Sequence, residues 1–224
     1  MGPLSSKTSL HIKTLGVILD IDLNLKRQIG SVIKSSFHQL RLLAKVKPYL
    51  SFDDLERVIQ VFIFSRLDYC NSLYIGLDQC SLRRLQIVQN AAARLLTGTK
   101  KRDHITPVLV SLHWLPVHFR IHFKVLLFVF KILSGVAPQY LAKLLQVHNP
   151  VRALRSSNEL QLEVPRSRLK TKGERAFSVA APKLWNSLPL HIRHAVSLES
   201  FKSSLKTHFF SLAFGPLGPA VSQT

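Results

Sequence analysis

Apolar residues recur along most of this chain at helical spacing, broken by short polar or Pro- and Gly-marked joints. Leu25, Ile29, Val32, Ile33, Phe37, Leu40 and Leu43 predict a first helix from about Leu25 to Tyr49, stopped at Pro48. Leu55, Val58, Ile59, Phe62 and Ile63 predict a second, opening at Ser51 and running on through Arg66 and Asp68 to Tyr69. Ser51 with Asp54 resembles a capping box, and Asp53, Asp54 and Glu56 suit the positive end of the helix dipole. A third helix has Leu82, Leu85, Val88, Ala92 and Leu95 inward, Ser81 as its cap and Gly98 as its stop. Short joints between the three predict a compact bundle over residues 25–98.

Ahead of the bundle, IKTLGVIL (residues 12–19) is β-branched and apolar with Gly16 inside. It predicts one strand with a bulge or close approach at the glycine. A single strand is unstable alone, so this orphan N-terminal strand implies partners elsewhere. Asp20 and Asp22 follow. Two carboxylates at that spacing suit a divalent metal, but no third acid lies nearby, and a cap by Asp22 or Asn24 is the better expectation.

Beyond Gly98 comes a basic linker, TKKRDH, then a short helix from Thr106–Pro107 and a turn anchored by Trp114. From Pro116 to about Leu133 the pattern is apolar almost all round, as in the core helix of a second half. Gly135 ends it and Pro138 opens a short helix. Asn149–Pro150 marks a boundary into a basic segment in which Leu160, Leu162 and Val164 alternate as a short strand. A helix over Glu174–Leu188, bent at Pro182, and a last one capped by Ser197 complete the pattern. The fold class is mainly α: a three-helix bundle, a second helical region with a short β segment, and the orphan strand. The expected division is 1–24, lead-in; 25–98, bundle; 99–148, helical region; 149–173, basic linker; 174–212, C-terminal helices; 213–224, frayed tail.

Charge then changes the picture. Thirty-one Lys and Arg against twelve Asp and Glu give +19 over 224 residues. Such a balance points to a polyanionic partner, RNA or DNA before a basic ribosomal-type role or an anionic membrane surface. The polar faces of the first helix carry Lys26, Arg27, Lys34, Arg41 and Lys45 with no acid, as a phosphate-tracking surface would. Arg83 and Arg84 on the third helix are further candidates, a solvated helix face being the alternative. Arg152, Arg155, Arg166, Arg168, Lys170 and Lys172 make a basic arm.

Candidate chemistry is sparse. Phosphate-binding glycine loops and a hydrolase elbow are missing from the sequence, so no cofactor is implied. Four of the twelve acids, Asp22, Asp53, Asp54 and Glu56, sit at or beside helix starts, too few remaining for a two-metal site. His118 and His122 stand one helical turn apart without the Glu of a metalloprotease helix. Cys70 and Cys80 make no disulfide framework. Gly2 and Ser6 sit at myristoylation positions, with Pro3 spoiling the match. Val125–Leu133 is too short to span a bilayer and Lys131 interrupts it. These features lead to the expectation of an intracellular protein, nuclear or cytoplasmic, without a membrane partner.

Four stretches carry a family resemblance: RLDYCNSLYIGL, LRRLQIVQNAAARLLTG, HITPVLVSLHWLPVHFRIHFKVLLFVFKILSGVAPQYL and RAFSVAAPKLWNSLPLHIRHAVSLESFKSSLKTHFF. They resemble the region downstream of the polymerase core in the reverse transcriptases of non-LTR (LINE-type) retrotransposons. The resemblance covers about Lys13 to Phe210. It implies that residues 25–98 are thumb-like and grip an RNA–DNA duplex, that IKTLGVILD follows the catalytic hairpin of the palm, and that Asp20 and Asp22 are not the catalytic pair. The aromatic-Ala-Asp-Asp motif of such polymerases does not occur, so the resemblance implies an RNA-directed DNA polymerase fragment with no catalysis as an isolated chain. A palm domain in trans or self-association then becomes a further partner, through Ile12, Val17 and Leu19. A decayed reading frame without selected function is the remaining alternative.

Overall fold

The computed structural model describes residues 11–148, 160–169 and 171–215. The architecture is mainly α with one small antiparallel sheet. The expected lone strand is a hairpin: β1 (His11–Thr14) pairs with β2 (Val17–Asp20), Thr14 opposite Val17. Leu15 (φ 46°) and Gly16 (φ 78°) both take positive φ, the two-residue turn whose twist suits a hairpin. Gly16 is thus a turn residue and not a bulge. The hairpin is tied down as well: Ile18 N–H donates to Gln28 Oε1 (2.9 Å), and the Tyr69 hydroxyl donates to the Leu15 carbonyl (2.6 Å).

Asp20 closes the lead-in. Its carboxylate accepts from the Asn24 and Leu25 N–H groups at 2.9 and 2.8 Å, and Asn24 Oδ1 accepts from Lys26 N–H at 3.0 Å. Helix α1 (Lys26–Val46) follows, then a 3-10 turn, Lys47–Tyr49, in which Pro48 ends the run. Asp22, one of two expected caps, instead meets Lys172 Nζ at 3.2 Å.

The second predicted helix is continuous but not uniform. It comprises α2 (Phe52–Ile59), a π-helical turn over Gln60–Phe64, and α3 (Ser65–Asp68). Its buried residues Leu55, Ile59, Ile63 and Leu67 repeat every four positions, longer than the 3.6 of an α-helix. One wide turn keeps that stripe on the core. Ser51 caps it as expected, accepting from Asp54 N–H at 3.2 Å.

Helix α4 (Gln79–Thr97) starts earlier than expected, because its cap is Asp78 and not Ser81. The Asp78 carboxylate accepts from the Ser81 N–H (2.8 Å) and hydroxyl (2.9 Å), and those bonds hold its pKa below the usual carboxylate value. Gly98, at φ 75°, closes the helix.

Helix α5 (Thr106–Ser111) leads through the Trp114 turn into α6 (Val117–Leu133), which packs against α4, α8 and α10. Amides from α4 seat the start of α6. Gln86 Oε1 accepts from Val117 N–H (2.8 Å), and Gln89 Nε2 donates to the Leu115 carbonyl (2.8 Å). Gln86 Nε2 joins them by donating to Gln89 Oε1 and Asn90 Oδ1. A helix start buried against a neighbour needs such acceptors, and neither glutamine has an assigned role in the periodic pattern.

A second tie joins α3 to α6. Arg120 grips Asp68 with two bonds, Nε to Oδ1 (3.0 Å) and Nη2 to Oδ2, while its guanidinium lies 4.5 Å from the centre of the Phe64 ring. Phe64 in turn meets Trp114 edge to face at 4.6 Å.

Helix α7 (Gln139–Ala142) is one turn. The expected strand at Leu160–Val164 reduces to an isolated bridge, Val147 opposite Leu162. Only Leu162 of the alternating trio is buried. It is clamped from α8 (Phe177–Asn186): the Asn186 amide bonds both the N–H and the carbonyl of Leu162 (2.9 and 2.8 Å), and Trp185 Nε1 donates to the Leu160 carbonyl (2.7 Å). Helix α8 begins at Phe177, later than expected, with Pro182 inside. After α9 (Leu190–Arg193), α10 (Leu198–Phe214) is capped by Ser197 and reaches two residues into the predicted tail. Residues 216–224, like Asn149–Pro150, lie outside the described residues.

One apolar cluster runs from Leu25 to Phe210 through every long helix. Phe130 stacks on Phe201 at 4.4 Å, with Trp185 beside it. Among the described residues, no helix is long and apolar enough to cross a membrane.

Candidate nucleic-acid interface

Helix α1 presents its candidates in two groups. Arg27, Lys34 and Arg41 are seven residues apart and Lys45 is one turn further, so the four fall within about 40° of arc. All four are exposed. From Arg27 to Lys45 the stripe is about 27 Å long, close to eight base-pair steps. Among the described residues none of the four meets a carboxylate. Arg27 Nη1 lies 3.1 Å from His11 Nδ1, and Arg41 Nε donates to the Phe37 carbonyl, leaving the rest of each guanidinium to solvent.

Lys26 stands apart from the stripe. It borders a cleft of about 740 Å³ together with Asp22, Asp78, Glu174, Lys172, Arg175 and Lys183. Lys172 is paired there with Asp22, and Lys183 lies 3.8 Å from Glu174. Charges of both signs make this cleft a poor phosphate track. Arg175, aimed at backbone, donates to the Ile75 and Leu23 carbonyls at 3.1 and 2.8 Å, and desolvation by burial lowers its pKa.

Arg83 and Arg84 are exposed on α4, and Arg83 rims a separate cleft of about 550 Å³ with Gln79, Asn90 and Phe214. Arg166 and Arg168 are exposed beyond the Leu162 bridge. Arg152, Arg155 and Lys170 lie outside the described residues.

The structure adds cations that the sequence pattern assigns only to a linker. Lys47 Nζ donates to the Leu95 carbonyl at 2.6 Å, which holds the C-terminal ends of α1 and α4 together. The loop after α4 therefore emerges near the Lys45 end of the stripe and adds exposed Lys100, Lys101 and Arg102. Arg94 shapes that loop by donating to the Lys100 and Asp103 carbonyls, and the Asp103 carboxylate accepts from Lys100 N–H. The signal is present in TKKRDH; its position relative to α1 depends on a bond between residues 48 apart in sequence.

His118 and His122 meet edge to face at 5.7 Å beside Phe119 and Phe209, and no third ligand joins them among the described residues. Their surroundings disfavour the cation. Burial, then the neighbouring His118, pushes His122 down to about 4, and burial lowers His118. The unfolded chain, with histidine near 6.5, binds more protons than the fold between about pH 4 and 6.5, so stability falls as pH falls through that window. Urea midpoints measured from pH 7.5 to 4.5 are expected to decline, with up to about 3 kcal/mol of the loss due to His122. A His122→Leu chain should show a flatter profile; an unchanged profile would remove this histidine as the cause.

Comparison with family models, with curated proteins and with solved structures returns no match for this chain.

Proposed function

We propose that this chain is a nucleic-acid-binding module derived from the reverse transcriptase of a non-LTR retrotransposon, without the polymerase's catalytic palm. The observation that carries the binding is the acid-free stripe Arg27, Lys34, Arg41 and Lys45, continued by Lys100, Lys101 and Arg102. The retrotransposon origin rests on the sequence resemblance of the long motifs between Lys13 and Phe210. The mainly helical architecture is compatible with a thumb-like role for residues 25–98.

The partner is RNA or DNA, held by its backbone and read weakly for sequence, since the stripe offers a row of cations along one helix face and few other groups for base edges. The chain performs no polymerisation alone, because the sequence lacks the paired aspartates of the palm hairpin. Its setting is intracellular, in the nucleus or cytoplasm. Recruitment of a palm through the N-terminal apolar residues has less support: Ile12 is exposed, but within β2 Val17 is buried and Leu19 half-buried.

A filter-binding titration at 50 and 200 mM salt tests the reading. Four or more phosphate contacts predict at least about a 100-fold loss of affinity for a duplex over that range. Affinity that does not change with salt would sink it.

A further inference from the structure

A cavity of about 240 Å³ lies between α3, α6 and α10, away from the α1 stripe. Its apolar lining is Leu115, Phe123 and Leu127; its polar lining is Asp68, Arg120, Asn71, Lys124 and Lys206. Asp68 and Arg120 satisfy each other. The two lysines and the amide oxygen of Asn71 are not accounted for. Lys124 on α6 and Lys206 on α10 meet no carboxylate among the described residues, so two lysines from separate helices line one space without an acidic partner. Asn71 is 3% exposed, and its Oδ1 has no hydrogen-bond partner.

The orientation of that amide is set by chemistry. Asn71 Nδ2 lies 3.2 Å from Asp68 Oδ1. Rotating the amide by half a turn would bring its oxygen against the carboxylate, two acceptors facing each other. The oxygen is therefore the free atom, a buried acceptor that lacks a donor. A ligand for this cavity needs anionic oxygens for two lysines and a hydrogen-bond donor for Asn71, which a small oxyanion can offer only as an O–H. A carboxylate or sulfate at neutral pH supplies only the oxygens. A phosphate with one proton supplies both, and a phosphate monoester holds that proton with a pKa near 6.

We propose that this cavity binds a hydrogen phosphate group, with Lys124 and Lys206 on its anionic oxygens and Asn71 Oδ1 accepting from its P–O–H. The group is either free phosphate or the monoester at the end of a nucleic-acid strand; both present the same chemistry. The site does not depend on the α1 stripe, so it stands or falls separately from the duplex-binding reading.

The test is thermal unfolding of the full chain in inorganic phosphate and in sulfate, at matched ionic strength and at pH 6 and 8. Phosphate at 20 times its Kd is expected to raise the Tm by about 3–7 °C over sulfate at both pH values, because inorganic phosphate still carries a P–O–H at pH 8 while sulfate carries none at either. Lys124→Met and Lys206→Met, both at solvent-reaching positions, should each abolish the difference, and Lys143→Met, just after α7, should keep it. Equal effects of sulfate and phosphate, or a phosphate effect that survives both cavity substitutions, would overturn the site. A second arm compares 5′-phosphorylated and 5′-hydroxyl strands in competition with phosphate. An advantage for the phosphorylated strand assigns the strand end; equal binding assigns free phosphate.

Discussion

Exchanging Lys34 and Arg41 for glutamate will weaken duplex binding about 30-fold at 150 mM salt and make its salt dependence shallower by close to 1.8 in slope. Each phosphate neutralised by a side chain adds about 0.9 to the slope of log K against log salt, and at that salt its counterion release is worth roughly fivefold in affinity. Removing two such cations multiplies the two penalties, and the introduced carboxylates act in the same direction. The substitutions should not disturb the fold, since both side chains are exposed and neither makes an ion pair among the described residues. The control is Lys26→Glu, which alters the net charge in the same sense in a cleft that already contains three acids. If the control weakens binding as much per charge as the stripe does, the attraction is a property of the whole +19 chain and the stripe has no special role. Electrophoretic mobility shifts at three salt concentrations give both affinity and slope.

Replacing Arg120 with Met will destabilise the chain by about 3 kcal/mol, a fall in Tm of roughly 6–12 °C. Arg120 and Asp68 retain only 24% and 34% of their side-chain exposure. The methionine removes both hydrogen bonds, removes the cation from the Phe64 ring, and leaves the Asp68 charge with the Asn71 amide alone. Most of the loss comes from that stranded charge, so Asp68→Asn in the same chain should recover part of it. Recovery distinguishes an unpaired carboxylate from lost packing: if the double variant is no more stable than Arg120→Met, packing against Phe64 was the larger contribution. Thermal unfolding of the three variants at pH 7.5 decides between them.

The long helices are legible because their signal is local. Seven apolar positions at helical spacing suffice for α1, and Ser51, Ser197 and Gly98 announce helix ends through chemistry within three residues. The hairpin escapes the pattern for a related reason. Its turn requires Leu15, a residue that seldom adopts positive φ, so LG does not look like the Asn-Gly or Asp-Gly of a two-residue turn. The cap of α4 slips by three residues because Asp78 and Ser81 are both good caps, and only the geometry shows which accepts and which donates. Gln86, Gln89, Arg120 and Asn186 are silent for another reason: their partners lie 24 to 52 residues away. No period or propensity encodes a bond of that sequence separation. The same limit applies to the interface. The sequence places cations on α1 and in the linker, but not the Lys47–Leu95 bond that brings them to one end.

The bridge at Leu162 has a practical consequence for anyone engineering this chain. Val147 and Leu162 face each other, His148 N–H donates to the Gln161 carbonyl, and Asn186 clamps Leu162 from the other side. The two ends of residues 149–159 are therefore stapled to the scaffold whatever joins them. An inserted flexible sequence would add only about 0.6 kcal/mol of closure cost for each doubling of its length. This makes the joint a natural port for cargo: a fluorophore, an affinity tag or a second domain could be spliced between His148 and Leu160 while the helices on either side keep their places.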